Sequence, residues 1–134
     1  MNRVIVDTSA YSAFMRGHDE VTATLREAES IVLNPVILGE LHAGFLRGAH
    51  RRKNEGELDR FLASARVLVV GIDEETAERY AVIVDSLRSA GTPIPTNDVW
   101  IAATAMQHGL GVLTTDEHFT RVRQVAVLHH PVVP

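Results

Sequence analysis

Four carboxylates, Asp7, Glu40, Asp98 and Asp116, lie inside or beside apolar runs, where a charge is costly unless something compensates it. Asp7 closes Val4-Ile5-Val6, and Asp116 follows Gly111-Val112-Leu113-Thr114. Glu40 stands mid-helix, with Val36, Ile37, Ala43 and Gly44 three and four residues away on its own face. Asp98 opens a helix, in the turn where the helix dipole favours negative charge. The compensation that suits all four is a shared divalent cation, because hard cations take oxygen ligands. Such an ion can lower the pKa of a bound water and stabilise charge on a leaving oxygen, which points to metal-dependent chemistry on phosphate. Each acid also has a plainer role: Asp7 and Asp98 as helix caps, Asp116 as a turn residue, Glu40 as a surface group. Together, two strand-end acids, a mid-helix acid and an acid after a proline loop make a much rarer coincidence.

Other chemistries find less support. None of the seven His residues has a zinc-binding spacing, and the adjacent His129 and His130 fall in a tail closed by Pro131 and Pro134. Ser9 and Ser12 lack a nucleophile elbow, and Gly109-Leu110-Gly111 precedes a strand, the wrong context for a dinucleotide turn. With no cysteine, neither a disulfide framework nor a thiolate metal site is possible. Another acid-cluster phosphotransfer domain remains a reading. Against it, Asp7 is not followed two residues later by a second Asp, and no Lys stands near the last strand.

The elements that must position these acids alternate. Val4-Ile5-Val6 reads as a strand, Asp7-Thr8-Ser9 caps a helix through Met15, and a second helix runs from about Asp19 to Glu29. Ile31-Val32-Leu33 is a short strand, and Asn34-Pro35 starts the helix of Glu40 with Pro in its first turn. A helix over Glu57 to Ala65 precedes Val67-Leu68-Val69-Val70, read as a buried strand. Asp73 to Ala90 is amphipathic, with Ala77, Ala81, Val84 and Leu87 on one face. Thr92-Pro93-Ile94-Pro95-Thr96 is a rigid loop, Asn97-Asp98 opens a helix ended by Gly109, and strands follow at Gly111 to Thr114 and Val125 to Leu128, with a turn at His118-Phe119 between. Alternating strands and helices imply a parallel sheet covered on both faces. Strand ends of such a sheet are its binding edge, so Asp7 and Asp116 are expected there together.

Length and charge set outer limits. A chain of 134 residues fits one domain, 1–134, with a core of its own, and no repeat or linker interrupts it. Its 13 Lys and Arg against 17 Asp and Glu leave a net charge of −4, but the four acids above account for the excess. A bound cation reverses the field of such a pocket, so a polyanionic substrate is not excluded. Arg47, Arg51, Arg52 and Lys53 offer charge for a phosphate backbone, or form a solvated connection between helices. Only three apolar residues precede Asp7, too few for a signal-peptide core, and no run reaches spanning length; a cytoplasmic protein is expected.

Ile5-Val6-Asp7-Thr8-Ser9, Val36-Ile37-Leu38-Gly39-Glu40-Leu41, Asn97-Asp98-Val99-Trp100-Ile101-Ala102-Ala103 and Leu113-Thr114-Thr115-Asp116-Glu117-His118-Phe119 resemble, in order, the motifs of PIN-domain ribonucleases. The particular likeness is to the VapC-like toxins of bacterial type II toxin-antitoxin pairs. Asp-Thr-Ser alone is a weak signal, whereas Asn-Asp-x-Trp-Ile-Ala-Ala followed by Thr-x-Asp-x-x-Phe is fairly specific.

The resemblance implies a three-layer α/β/α fold with four to five short parallel strands. It implies an Mg²⁺- or Mn²⁺-dependent endoribonuclease, with Asp7 and Asp98 contacting the ion most directly. Glu40 and Asp116 would act directly or through water, and Thr114 would support Asp116. Trp100 reads as helix packing, not as a stacking platform for bases. The implied partners are an RNA substrate, a cognate antitoxin and a second copy in a homodimer, with the helices at Asp19 to Glu29 and Glu57 to Ala65 as candidate surfaces. A non-catalytic RNA-binding or adaptor module built on the same pocket is the alternative.

Overall fold

The computed structural model describes residues 2–133; Met1 and Pro134, the ends of the expected domain, lie outside the described residues. Its strands are β1 (Arg3–Val6), β2 (Ser30–Leu33), β3 (Val67–Val69), β4 (Gly111–Thr114) and β5 (Val127–His129). Its helices are α1 (Thr8–Met15), α2 (Asp19–Glu27), α3 (Pro35–Arg47), α4 (Arg51–Leu62), α5 (Glu74–Ala90) and α6 (Thr96–His108). A 3₁₀ turn covers Glu117–Arg121. All strand pairs are parallel, in the order β3-β2-β1-β4-β5, and the register sets Ile5 beside both Val32 and Val112.

Right-handed crossovers place α1 to α4, which lead from β1 through β2 to β3, on one face. The return from β3 to β4 then carries α5 and α6 across the other. This is the expected three-layer α/β/α arrangement, and β1, β2 and β4 are apolar on both faces because both are covered. The direction of the connections reverses between β1 and β4, and open sheets bind ligands beyond the strand ends at such a point.

Local chemistry sets the helix entries. Asn34 caps α3 through Ile37 N–H at 3.0 Å, with Pro35 following, while Asp73 and Thr76 form a reciprocal capping box on α5. Gly109 ends α6 at φ 65°, a left-handed conformation costly for a side chain, and turns the chain into β4. The core is filled by Ile5, Leu33, Ile37, Ile83, Ile101, Leu113 and Phe119, all fully buried.

Several expectations are corrected. β3 is not a buried strand: Leu68 and Val69 are 51% and 49% exposed, because β3 is an outer strand paired only to β2. The fourth helix spans Arg51–Leu62, not Glu57 to Ala65, so Arg51, Arg52 and Lys53 form its first turn instead of a connection. The second helix stops at Glu27, and the last strand is shifted to Val127–His129. On α5 the buried stripe is Thr76, Ile83 and Leu87, with Tyr80 and Val84 packed beside it, while Ala77 and Ala81 are exposed. Larger side chains win that face because buried area scales with side-chain size. Trp100 stacks on Tyr80 with ring centroids 4.1 Å apart, joining α6 to α5.

Candidate metal centre

The end of β1 fixes Asp7. Its N–H donates to Leu113 O at 3.2 Å, continuing the β1–β4 ladder by one residue, and its carboxylate caps α1 by accepting Ala10 N–H at 2.8 Å. Thr114 Oγ1 donates to Oδ2 at 2.7 Å. The single Ser9 hydroxyl proton is shared between Oδ1 and Oδ2 at 2.8 and 2.9 Å. Asp7 is only 4% exposed. Burial pushes its pKa from 3.8 to about 6; the bonds from Ala10, Thr114 and Ser9 pull the other way, and the nearby charge of Asp98 adds to the rise.

Asp98 enters from the opposite face, in the first turn of α6 directly after the proline loop. Its pKa is raised, mainly by burial, with the charges of Asp116 and Glu40 contributing and His118 opposing. Asp116 follows β4, accepts His118 N–H at 2.9 Å and thereby caps the 3₁₀ turn, while its own N–H donates to Thr114 Oγ1 at 2.9 Å. Of the two helix-cap roles read from the sequence, that of Asp7 holds alongside its place in the cluster. Asp98 is not a cap, since α6 starts from Pro95 without a side-chain cap bond, and Asp116, read as a turn residue, caps the 3₁₀ turn. Glu40 reaches the same region from α3, accepting from Thr8 Oγ1 at 2.7 Å and Asn97 Nδ2 at 3.3 Å.

His118 links the two acids that flank it. Its Nδ1 lies 3.0 Å from Asp98 Oδ2 and 3.2 Å from Asp116 Oδ2. Asp98, Asp116 and His118 each offer a ligand atom within 4.8 Å of the others. With Glu40 and the loop residues Pro95 and Thr96 they line an open cleft of about 450 Å³, and Asp7 is buried behind it. Side-chain exposure rises outward from 18% at Asp98 to 34% at His118 and 37% at Asp116.

All four expected acids thus belong to one neighbourhood, although the tightest ligand set is not the pair Asp7 and Asp98. His118, Thr8, Ser9 and Asn97 carry contacts that were not foreseen as roles. The available signals were Asp-x-His at 116–118 and Asp-Thr-Ser at 7–9, both inside the quoted motifs. Thr114 serves the side chain of Asp7 as well as the backbone of Asp116.

The donor set fits a divalent cation. Among the described residues no Lys or Arg lines the cleft, so no fixed positive charge stands there to offset the carboxylates. Oxygen ligands from Asp98 and Asp116, with Asp7 and Glu40 behind or through water, match the preference of hard cations. Burial raises the pKa of both Asp7 and Asp98, a cost of ionisation that a bound cation would offset.

Residues 4–125 match the PIN domain model. Ribonuclease VapC4 of Mycobacterium tuberculosis is 38% identical over 93 residues, covering 69% of this chain and 72% of its own length. Ribonuclease VapC of Rickettsia bellii is 32% identical over 133 residues, 96% of each chain. The solved structure of VapBC-5 from Mycobacterium tuberculosis, a member of the VapBC family of toxin-antitoxin systems, superposes with a TM-score of 0.74 at 26% identity over 95% of this chain and 98% of that one. With its parallel sheet, its strand-end acids and these relatives, the chain belongs to the PIN-domain family, among the VapC-like proteins.

Proposed function

We propose that this protein is a metal-dependent endoribonuclease, a single domain acting as the toxin of a toxin-antitoxin pair in the cytoplasm. It forms a homodimer and is neutralised by a cognate antitoxin in a hetero-oligomer. The observation that carries the chemistry is the cleft at the β1/β4 edge, where Glu40, Asp98, Asp116 and His118 face one space with Asp7 buried behind them. The VapC relatives support RNA as substrate and an antitoxin as partner.

Asp98 and Asp116 belong to the tightest ligand group in the cleft, and Asp7 and Glu40 complete the oxygen set that would hold Mg²⁺ or Mn²⁺. When bound, the ion supplies Lewis-acid charge at the scissile phosphate and a water of lowered pKa. Ser9 and Thr114 lock Asp7 in one orientation, and Thr8 and Asn97 do the same for Glu40. Fixing the acids before substrate arrives spares the site that cost during reaction.

The test is RNA incubated with wild-type protein and Mg²⁺ or Mn²⁺, beside Asp98→Ala and an EDTA control. Cleavage only by wild type with the ion is expected. RNA binding without cleavage, unchanged by Asp98→Ala, would favour the adaptor reading instead.

A further inference from the structure

A second pocket adjoins the acidic cleft. It lies between α5 and the proline loop, measures about 130 Å³, and shares Thr96 with the cleft. Its lining includes Tyr80, Ile94 and Pro93, and the residues in it that carry polar side-chain groups are Tyr80 (hydroxyl), Arg88 (guanidinium) and Thr96 (hydroxyl). Among the described residues none of those three groups makes an intramolecular hydrogen bond, and they share the hollow with the apolar side chains of Val84, Leu87, Pro93, Ile94 and Val99. A small hollow that mixes aromatic and aliphatic side chains with several polar groups suits a small planar ligand with a polar edge.

The pocket is also held open. Tyr80 is stacked against Trp100 with planes 24° apart, which fixes its ring. Pro93 and Pro95 stiffen the loop that forms the other wall, and Arg121 Nη1 donates to Pro93 O at 3.5 Å. The volume equals roughly four waters, room for one planar ring system and not for a sugar and phosphate as well. Any ribose-phosphate attached to such a ring must lie outside, and Thr96 is where the pocket meets the cleft.

We propose that this pocket receives an unpaired base of the RNA, that of a nucleotide flanking the scissile phosphate, and so sets sequence preference. The proposal rests on the ribonuclease reading above and deepens it. Single-stranded RNA is read by bases splayed onto aromatic and guanidinium planes and bonded along their edges. Tyr80 and Ile94 supply the apolar faces, while Arg88 and Thr96 bond to the base edge.

Trp100 is the sole tryptophan, so its emission reports on Tyr80 directly. The experiment titrates full-length protein with each of the four nucleoside 5′-monophosphates and with ribose 5-phosphate, in EDTA, while following that emission. Saturable quenching by nucleotides, graded by base and absent with ribose 5-phosphate, is expected. Arg88→Gln and Thr96→Val each weaken it by about tenfold, the loss of one good hydrogen bond, and Glu78→Gln on the exposed side of α5 leaves it unchanged.

On random-sequence RNA with Mn²⁺, Arg88→Gln flattens the preference at one position beside the cut. Quenching equal for ribose 5-phosphate, no saturable quenching, or an unaltered cleavage pattern in Arg88→Gln would each overturn the base pocket. If instead Arg88→Gln changes only antitoxin affinity, the pocket belongs to the protein partner and the proposal fails. Base-graded quenching in a protein that cuts no RNA would defeat the nuclease reading while leaving a nucleobase site.

Discussion

The Thr114 hydroxyl donates to Asp7 Oδ2 at 2.7 Å and accepts the N–H of Asp116 at 2.9 Å, so one side chain couples the acids at the ends of β1 and β4. Thr114 is fully buried and Asp7 nearly so, which shields the bond between them from water. Thr114→Val keeps the shape and removes both bonds. A loss of about 1–3 kcal/mol is expected, the cost of leaving buried polar groups unpaired. Urea denaturation gives the value, and a midpoint equal to wild type would show that the link is unimportant.

Asp7 makes stability depend on pH in an unusual direction. Its folded value, about 6, stands above the ordinary 3.8, so between those limits the folded chain binds more protons than the unfolded one. Stability without metal is therefore full below about pH 4 with respect to this group and falls as pH rises towards 6, by on the order of 3 kcal/mol. Asp98, also raised, adds in the same sense. In EDTA, Asp7→Asn flattens this slope and is more stable than wild type at pH 7. Denaturation curves at pH 4.5 and 7 measure both effects.

Much of this arrangement was legible in the letters. Pro35 after Asn34, Gly109 after a periodic run, and apolar triplets ending in acids each report a local physical preference, and those elements stand where expected. The exposure of β3 was not legible, because Val67-Leu68-Val69 reads alike in the centre of a sheet and at its edge. The face of α5 was misjudged because Ala77 and Ala81 keep helical spacing while burying little, and Tyr80 with Ile83 offers a competing stripe. His118 was passed over because a lone histidine after a turn carries no spacing signal. Only the fold brings its Nδ1 between Asp98 and Asp116.

Metal binding should be visible as stability. A ligand that binds only the folded state raises the melting temperature by mass action. Mg²⁺ in the millimolar range raises that of the wild type and leaves Asp7→Asn, Asp98→Asn unmoved. Differential scanning calorimetry with and without EDTA reads the shift, and equal shifts in both proteins would count against the site.

His118 now stands where a cation would lie, between two carboxylate oxygens. Mg²⁺ prefers oxygen and water to imidazole, so His118, whose Nδ1 bridges the two acids, is expected to give way when the ion enters. His118→Ala therefore lowers the melting temperature in EDTA, through loss of its bonds to Asp98 and Asp116, and enlarges the rise produced by Mg²⁺. A smaller rise than wild type would make His118 a ligand instead.

The most direct test of the gathered-acid account is a crystal grown with Mn²⁺ and measured at the manganese edge. The account predicts an anomalous peak in the cleft, ligated by Asp98 and Asp116, with Asp7 and Glu40 bound directly or through water. A peak elsewhere, or none at saturating Mn²⁺, would contradict it.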